Sequence, residues 1–230
     1  NGTITTGTGS LTMNGTGVLT LAADNTYTGK TIINAGTLAI SNDNQLGDAP
    51  GSATADQITL NGGTLRSFGS AVTLSADNRG VTLGANGGTF ETLTNLTIAN
   101  VIAGAGSLTK SGTGTLFLGA ANTYSGATTI NAGTVSYTGA DRIANTSAVT
   151  IAAGATLDLV QYSDTVASLA GAGTLTASGT GALALTFGGA NTNTTFSGNI
   201  IDAAGSTLSL VKNGTGTTVL SGASTNTFDG

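Results

Sequence analysis

The sequence predicts an all-β chain wound as a β-solenoid, and three observations carry that reading. A 24-residue word, "GTGVLTLAADNTYTGKTIINAGTL" from Gly15 to Leu38, returns 97 positions later as "GTGTLFLGAANTYSGATTINAGTV" from Gly112 to Val135, with 16 positions identical. Four- and five-residue runs rich in β-branched residues recur between Gly and Asn turns, as strands do. An apolar stripe at helical spacing is missing from every window of 11 residues, which demotes helix throughout.

Taken in order, the predicted strands are "VLTL", "TIIN", "TLAI", "QITL", "AVTL", "GVTL", "LTIA", "AVTI" and "ATLDL", which largely alternate apolar residues with Thr, Ser, Asn or Asp. Leu19 and Leu21, like Leu116 and Leu118, are expected to point inward on one face. Ile33 and Ala35, with Ile130 and Ala132, are expected to line the next. Gly36 and Gly133 are read as corners with φ > 0, which L-residues avoid. Asn25 and Asn122 are placed where a short amide bonds its own turn and stacked copies bond along the rod. Tyr27 and Tyr124 are read as half-buried caps beside the tight Gly29 and Gly126.

The lead-in repeats as well. "GTGSLTMNGTGVL", "GAGSLTKSGTGTL", "GAGTLTASGTGAL" and the looser "AGSTLSLVKNGTGTTVL" place GTG at Gly15, Gly112, Gly179 and Gly214, with gaps of 97, 67 and 35 residues. Self-similarity of this kind marks a stacked-repeat architecture. Unequal gaps argue against a propeller with equal blades, and 4% aromatic content argues against a sandwich core. Coils of about 20–22 residues at about 4.8 Å per rung give roughly ten or eleven coils and a rod about 50 Å long.

Composition narrows function. Of 230 residues, 37 are Gly, and 7% are charged against about 25% in an average domain. Like charges stacked rung on rung would repel, so a charge-poor surface suits the coil. The net charge of −5 and the scattered cations Lys30, Arg66, Arg79, Lys110, Arg142 and Lys212 exclude nucleic acid as partner. Without Cys or His there is no thiolate chemistry and no usual zinc site. No apolar run spans a bilayer. The chain opens without Met and ends inside a further copy of the repeat; residues 1–230 are therefore read as one β-helix segment of something longer.

At "SLTKSGTGTLFLGAANTYSGATTINAGTV" the likeness becomes specific. It resembles the autotransporter-associated β-strand repeat of passenger domains in Gram-negative type V secretion, nearly in full at Gly15–Leu38 and Gly112–Val135, in part at Gly179–Gly198, and truncated at Gly214–Gly230. The resemblance implies a right-handed parallel β-helix displayed at the cell surface outside the outer membrane. It also implies a C-terminal β-barrel translocator elsewhere in the parent chain and a contribution of the repeat to export. The segment Gly139–Ser168 departs from the pattern.

Chemistry is thinly supplied. Glu91 is the sole Glu, and the acids are mostly solitary. Asp43 and Asp48 in "SNDNQLGD" are the calcium candidates; a polar loop explains them equally. Asp158 and Asp164 flank Tyr162 as a candidate catalytic pair without a cation nearby in sequence. The Gly-rich segments lack the Lys-Ser/Thr and the helix of a phosphate loop. Thr-x-Thr at Thr3–Thr5, Thr92–Thr94 and Thr174–Thr176 raises ice binding without recurring once per coil. The sequence therefore favours a non-enzymatic structural stalk that aids export and needs no cofactor. An adhesin segment for host glycan or matrix protein is the alternative; a polysaccharide-active enzyme and an ice binder rank below. Cut solenoid ends are expected to associate end to end.

Overall fold

A computed structural model describes residues 2–5, 7–74 and 78–222. All nine predicted runs are strands, and the described residues contain no α-helix, only one 3-10 turn at Asp43–Leu46. Every strand pairing is parallel. Parallel neighbours adjoining in space but a coil apart in sequence define a β-solenoid, and its coils present three faces.

One face is a continuous ladder of ten strands from Val18–Thr20 to Thr218–Leu220; a second has seven, from Val72–Leu74 to Asn199–Asp202. We call these the long and the middle face. The third side carries five strands from Leu11–Met13 to Ile102–Gly104, then three from Asp164–Thr165 to Ser206–Lys212. Between them the column continues through irregular backbone: Thr123 N donates to Ile102 O, and Asp141 N to Ser163 O. We call it the split face.

Ten strands make nine steps, fewer than the ten or eleven coils expected. Plain steps are short: Leu108 pairs with Thr128, and Val149 with Leu169. Others carry loops: Thr37 pairs with Thr64, 27 residues on, and Thr64 with Thr89, 25 on. Outward loops lengthen a coil without adding a rung. Nine steps span about 43 Å at the usual rung spacing.

The core is a set of stacked apolar columns. On the long face Leu38, Leu65 and Phe90 follow one another inward, then Lys110, then Ile130 and Ile151. All six are 0% exposed. Leu21, Leu116, Leu118, Ile33 and Ile130 point inward as expected. Ala35 and Ala132 do not: they lie half-buried in the bend before Gly36 and Gly133, and Thr31 and Thr128 fill the inward positions instead. A strand of only three residues offers two inward places, and the corner starts where the second ends.

The GTG spacings acquire a geometric meaning here. The first copy turns the chain from Leu11–Met13 on the split face to Val18–Thr20 on the long face. The second joins Leu108–Ser111 on the long face to Thr115–Leu118 on the middle face. The third joins Thr174–Ala177 on the middle face to Gly181–Phe187 on the split face. The fourth joins Ser206–Lys212 to Thr218–Leu220, back at the corner of the first. Each copy thus sits one corner further round than the last. Gaps of 97, 67 and 35 residues amount to four, three and one coils, each plus one corner.

Candidate functional site

The repeated word uses its polar residues on the fold itself. After the GTG corner and one strand, the chain leaves the ladder: Asn25–Gly29 stands where a middle-face strand would run, and Asn122–Gly126 where a split-face strand would run. A missing strand leaves N–H and C=O groups on the rungs below and above without partners, and burial makes that costly. The asparagine amide replaces the missing peptide unit. Asn122 Oδ1 accepts from Ile102 N at 2.7 Å, and its Nδ2 donates to Arg142 O at 2.6 Å. Asn25 does the same between Ile4 N at 2.8 Å and Gln45 O at 2.6 Å. The bonds therefore run to the neighbouring coils, not to the asparagine's own turn, because only there are the unpaired groups found.

The tyrosine fills the volume the missing strand vacates. Tyr27 and Tyr124 are 0% exposed, so the half-buried caps expected for them are full core plugs. Each hydroxyl pairs inside the core, Tyr27 with Thr31 Oγ1 at 2.8 Å and Tyr124 with Thr128 Oγ1 at 2.6 Å. Thr128 in turn meets Ser147 Oγ at 2.8 Å. Burial pushes both phenol pKa values up. Gly29 and Gly126 lie on the previous rung so closely that a Cβ would overlap backbone of Gly9 and Gly106. Gly36 and Gly133 have φ of 68° and 66° and rest on the carbonyls of the GTG corner below.

The burial of two cations lay outside the sequence reading. Lys110 is 0% exposed, and its ammonium donates to Ser111 O, Gly112 O and Ala132 O at 2.8–2.9 Å. Desolvation lowers its pKa to about 8. Arg79 is 1% exposed; its Nη atoms donate to Leu46 O and Gly47 O at 2.9 Å, and its Nε lies 3.2 Å from Asp43 Oδ1. A guanidinium on the Asp43 carboxylate opposes a second cation there, so Asp43 serves an ion pair where calcium had been considered, while Asp48 is exposed. Opposite charges are also stacked on adjacent rungs, with Arg66 Nε 2.7 Å from Glu91 Oε2.

Asp158 and Asp164 do not form a pair. Asp158 faces outward and accepts from Val160 N, Ser178 N and Ser178 Oγ. Asp164 turns into the core at 2% exposure, accepting from Ile143 N at 3.1 Å and Thr165 N at 2.7 Å. Burial raises its pKa to about 6, offset in part by hydrogen bonds and reinforced by Asp141. Because the folded state holds this proton more tightly, its contribution is full below about pH 4 and is lost as pH rises through about 6. Asp164→Asn gives up one of the two N–H acceptors but carries no titrating proton, so its stability relative to the unsubstituted chain should rise between pH 4 and pH 7, by up to about 3 kcal/mol. Urea titrations at pH 4 and pH 7 check this: an equal gap between the two chains at both pH values would refute it.

A threonine row does recur once per coil on the long face, at Thr37, Thr64, Thr89, Thr109, Thr129 and Thr150. The row two residues on reads Ala39, Arg66, Glu91 and Ser111, so no second threonine row accompanies it. Of the Thr-x-Thr pairs, Thr92 is buried with Leu93 outside, and only Thr174–Thr176 stands outward on a strand. The paired array that ice binding needs is not built on this face.

Comparison with known proteins agrees with the geometry. The family model described as "Passenger-associated-transport-repeat" matches residues 11–40, 108–136 and 210–230. These contain the first, second and fourth GTG corners; the partial third copy is passed over, and the "NTFDG" of the fourth lies outside the described residues. The chain is 37% identical over 206 residues to the adhesin BmaC autotransporter of Brucella suis biovar 1 (strain 1330), covering 85% of this chain and 6% of that protein. No solved structure matches the chain. Repeat, solenoid and relative point the same way, and the chain belongs to the autotransporter passengers built with the passenger-associated-transport repeat.

Proposed function

We propose that this chain is a non-enzymatic structural segment of a surface-displayed passenger, a stalk whose stepwise folding aids its own export. The observation that carries this reading is the asparagine bridge. The most repeated polar residues are spent on joining one coil to the next, at 2.6–2.8 Å on both sides. Each coil that emerges presents unpaired N–H and C=O groups and an apolar column, and the next coil satisfies both. The free energy of that addition biases the thread outward without ATP. In the parent chain the partner is a C-terminal β-barrel translocator, and the location is the Gram-negative cell surface. An isolated fragment is expected to associate end to end, since Val18 at one edge of the long face and Val219 and Leu220 at the other are 44–59% exposed.

The second reading is adhesion to a host glycan or matrix protein, favoured by the adhesin name of the relative. Two deletions in the parent separate the readings. Removing residues 108–127 takes out one 20-residue step with its GTG corner, its bridging asparagine and its buried tyrosine; removing 149–168 takes out a step of equal length with no GTG and no asparagine, whose tyrosine, Tyr162, is only half-buried. The stalk reading expects the first deletion to lower surface display well below the second. Normal display of both, with loss of attachment to a defined ligand, would establish the adhesin reading instead.

A further inference from the structure

We propose that Asn14 and Asn213 are sites of spontaneous backbone rearrangement, set apart by the fold from two chemically identical steps, Asn61–Gly62 and Asn86–Gly87. In an Asn-Gly step the glycine nitrogen attacks the asparagine Cγ. The N–Cγ bond forms, the Cγ–Nδ2 bond breaks, and ammonia leaves with the amide proton. Water then opens the resulting succinimide at either carbonyl to give aspartate or isoaspartate. The attack needs a free nucleophile and an accessible, polarised Cγ.

A fifth Asn-Gly step, Asn1–Gly2, begins outside the described residues; the structure sorts the other four on those requirements. Gly62 N donates to Gly87 O at 2.7 Å, and Gly87 N donates to Gly84 O at 2.8 Å, so both nucleophiles are engaged. Gly15 N and Gly214 N make no hydrogen bond among the described residues, and both steps are exposed. Asn34 Nδ2 donates to Asn14 Oδ1 at 2.8 Å, which draws electrons from Cγ. At the other site the Lys212 ammonium bonds Asn213 O at 2.5 Å and Gly214 O at 3.3 Å, and its charge favours loss of the amide proton. Both are GTG corners. Isoaspartate there adds a backbone carbon and a negative charge; at Asn14 it displaces the Gly15 carbonyl on which Gly36 rests.

The test incubates the folded protein at pH 8.5 and 37 °C for days, followed by peptide mass mapping and isoaspartate methyltransferase labelling. Conversion at Asn14 and Asn213 is expected to run at least about tenfold faster than at Asn61 and Asn86, whose amides react only from locally opened states. In urea the four should react alike. Gly15→Ala, where a Cβ meets nothing within 4 Å and φ is not positive, should slow Asn14 alone by crowding the nucleophile. Equal native rates at the four steps, native silence at Asn14 and Asn213 beside conversion in urea, or an unchanged Asn14 rate in Gly15→Ala would each overturn the proposal.

Discussion

Tyr124→Ala is expected to destabilise the chain by about 3–5 kcal/mol, the usual cost of emptying a large aromatic site. The ring is 0% exposed and stands where the split face has no strand, so no neighbouring backbone can close over the void. The loss also opens the chain of hydroxyls from Tyr124 to Thr128 to Ser147. Tyr124→Phe keeps the ring and removes one end of that chain, leaving Thr128 its bond to Ser147, and should cost only about 0.5–1.5 kcal/mol. Urea unfolding followed by circular dichroism reads both as shifts of the midpoint. If Ala cost no more than Phe, the tyrosine would be a hydrogen-bonding residue and not a plug.

The contrast between these residues shows what the sequence makes legible. Strands and their inward positions follow from alternation, which is a local property: "TLFL" announces Leu116 and Leu118 by itself. Gly133 is legible too, since a repeated glycine after a strand marks a corner. The depth of Tyr124 is not, because burial there depends on a strand absent from the neighbouring column, and no local pattern records an absence. Lys110 was legible and was passed over. In "SLTKSGTG" it is in phase with the inward Leu108, where the first copy has Met13. Its charge suggested surface, but the corner carbonyls that receive the ammonium belong to the GTG turn printed beside it. Asp164 gave no such sign. Its strand has two residues, and the groups that crowd it, Tyr137 and Asp141 among them, come from the coil before. Val160, with φ of 59° despite its branched side chain, was equally invisible, since its turn is imposed by Asp158 and the stacked Ser178.

Asn122→Ala removes no volume that matters and is nonetheless expected to be among the costliest small changes in the chain. It strands two backbone groups on different coils, the buried Ile102 N at about 1–3 kcal/mol and the part-buried Arg142 O at less. Asn145→Ala is the matched comparison: its side chain is exposed and makes no hydrogen bond among the described residues, so its effect should stay within about 0.5 kcal/mol. Asn122→Asp sharpens the argument. It keeps the acceptor for Ile102 N but sets a carboxylate oxygen where Nδ2 stood 2.6 Å from Arg142 O, replacing a bond by repulsion between two acceptors. If the amide acts as a stand-in peptide unit, Asp should be no better than Ala at pH 7 and should recover as acid protonates it. Hydrogen exchange gives the finer reading, because the loss is directional: the Ile102 amide should lose protection in Asn122→Ala and keep it in Asn122→Asp. An asparagine that merely shaped its own turn would leave that amide untouched in both.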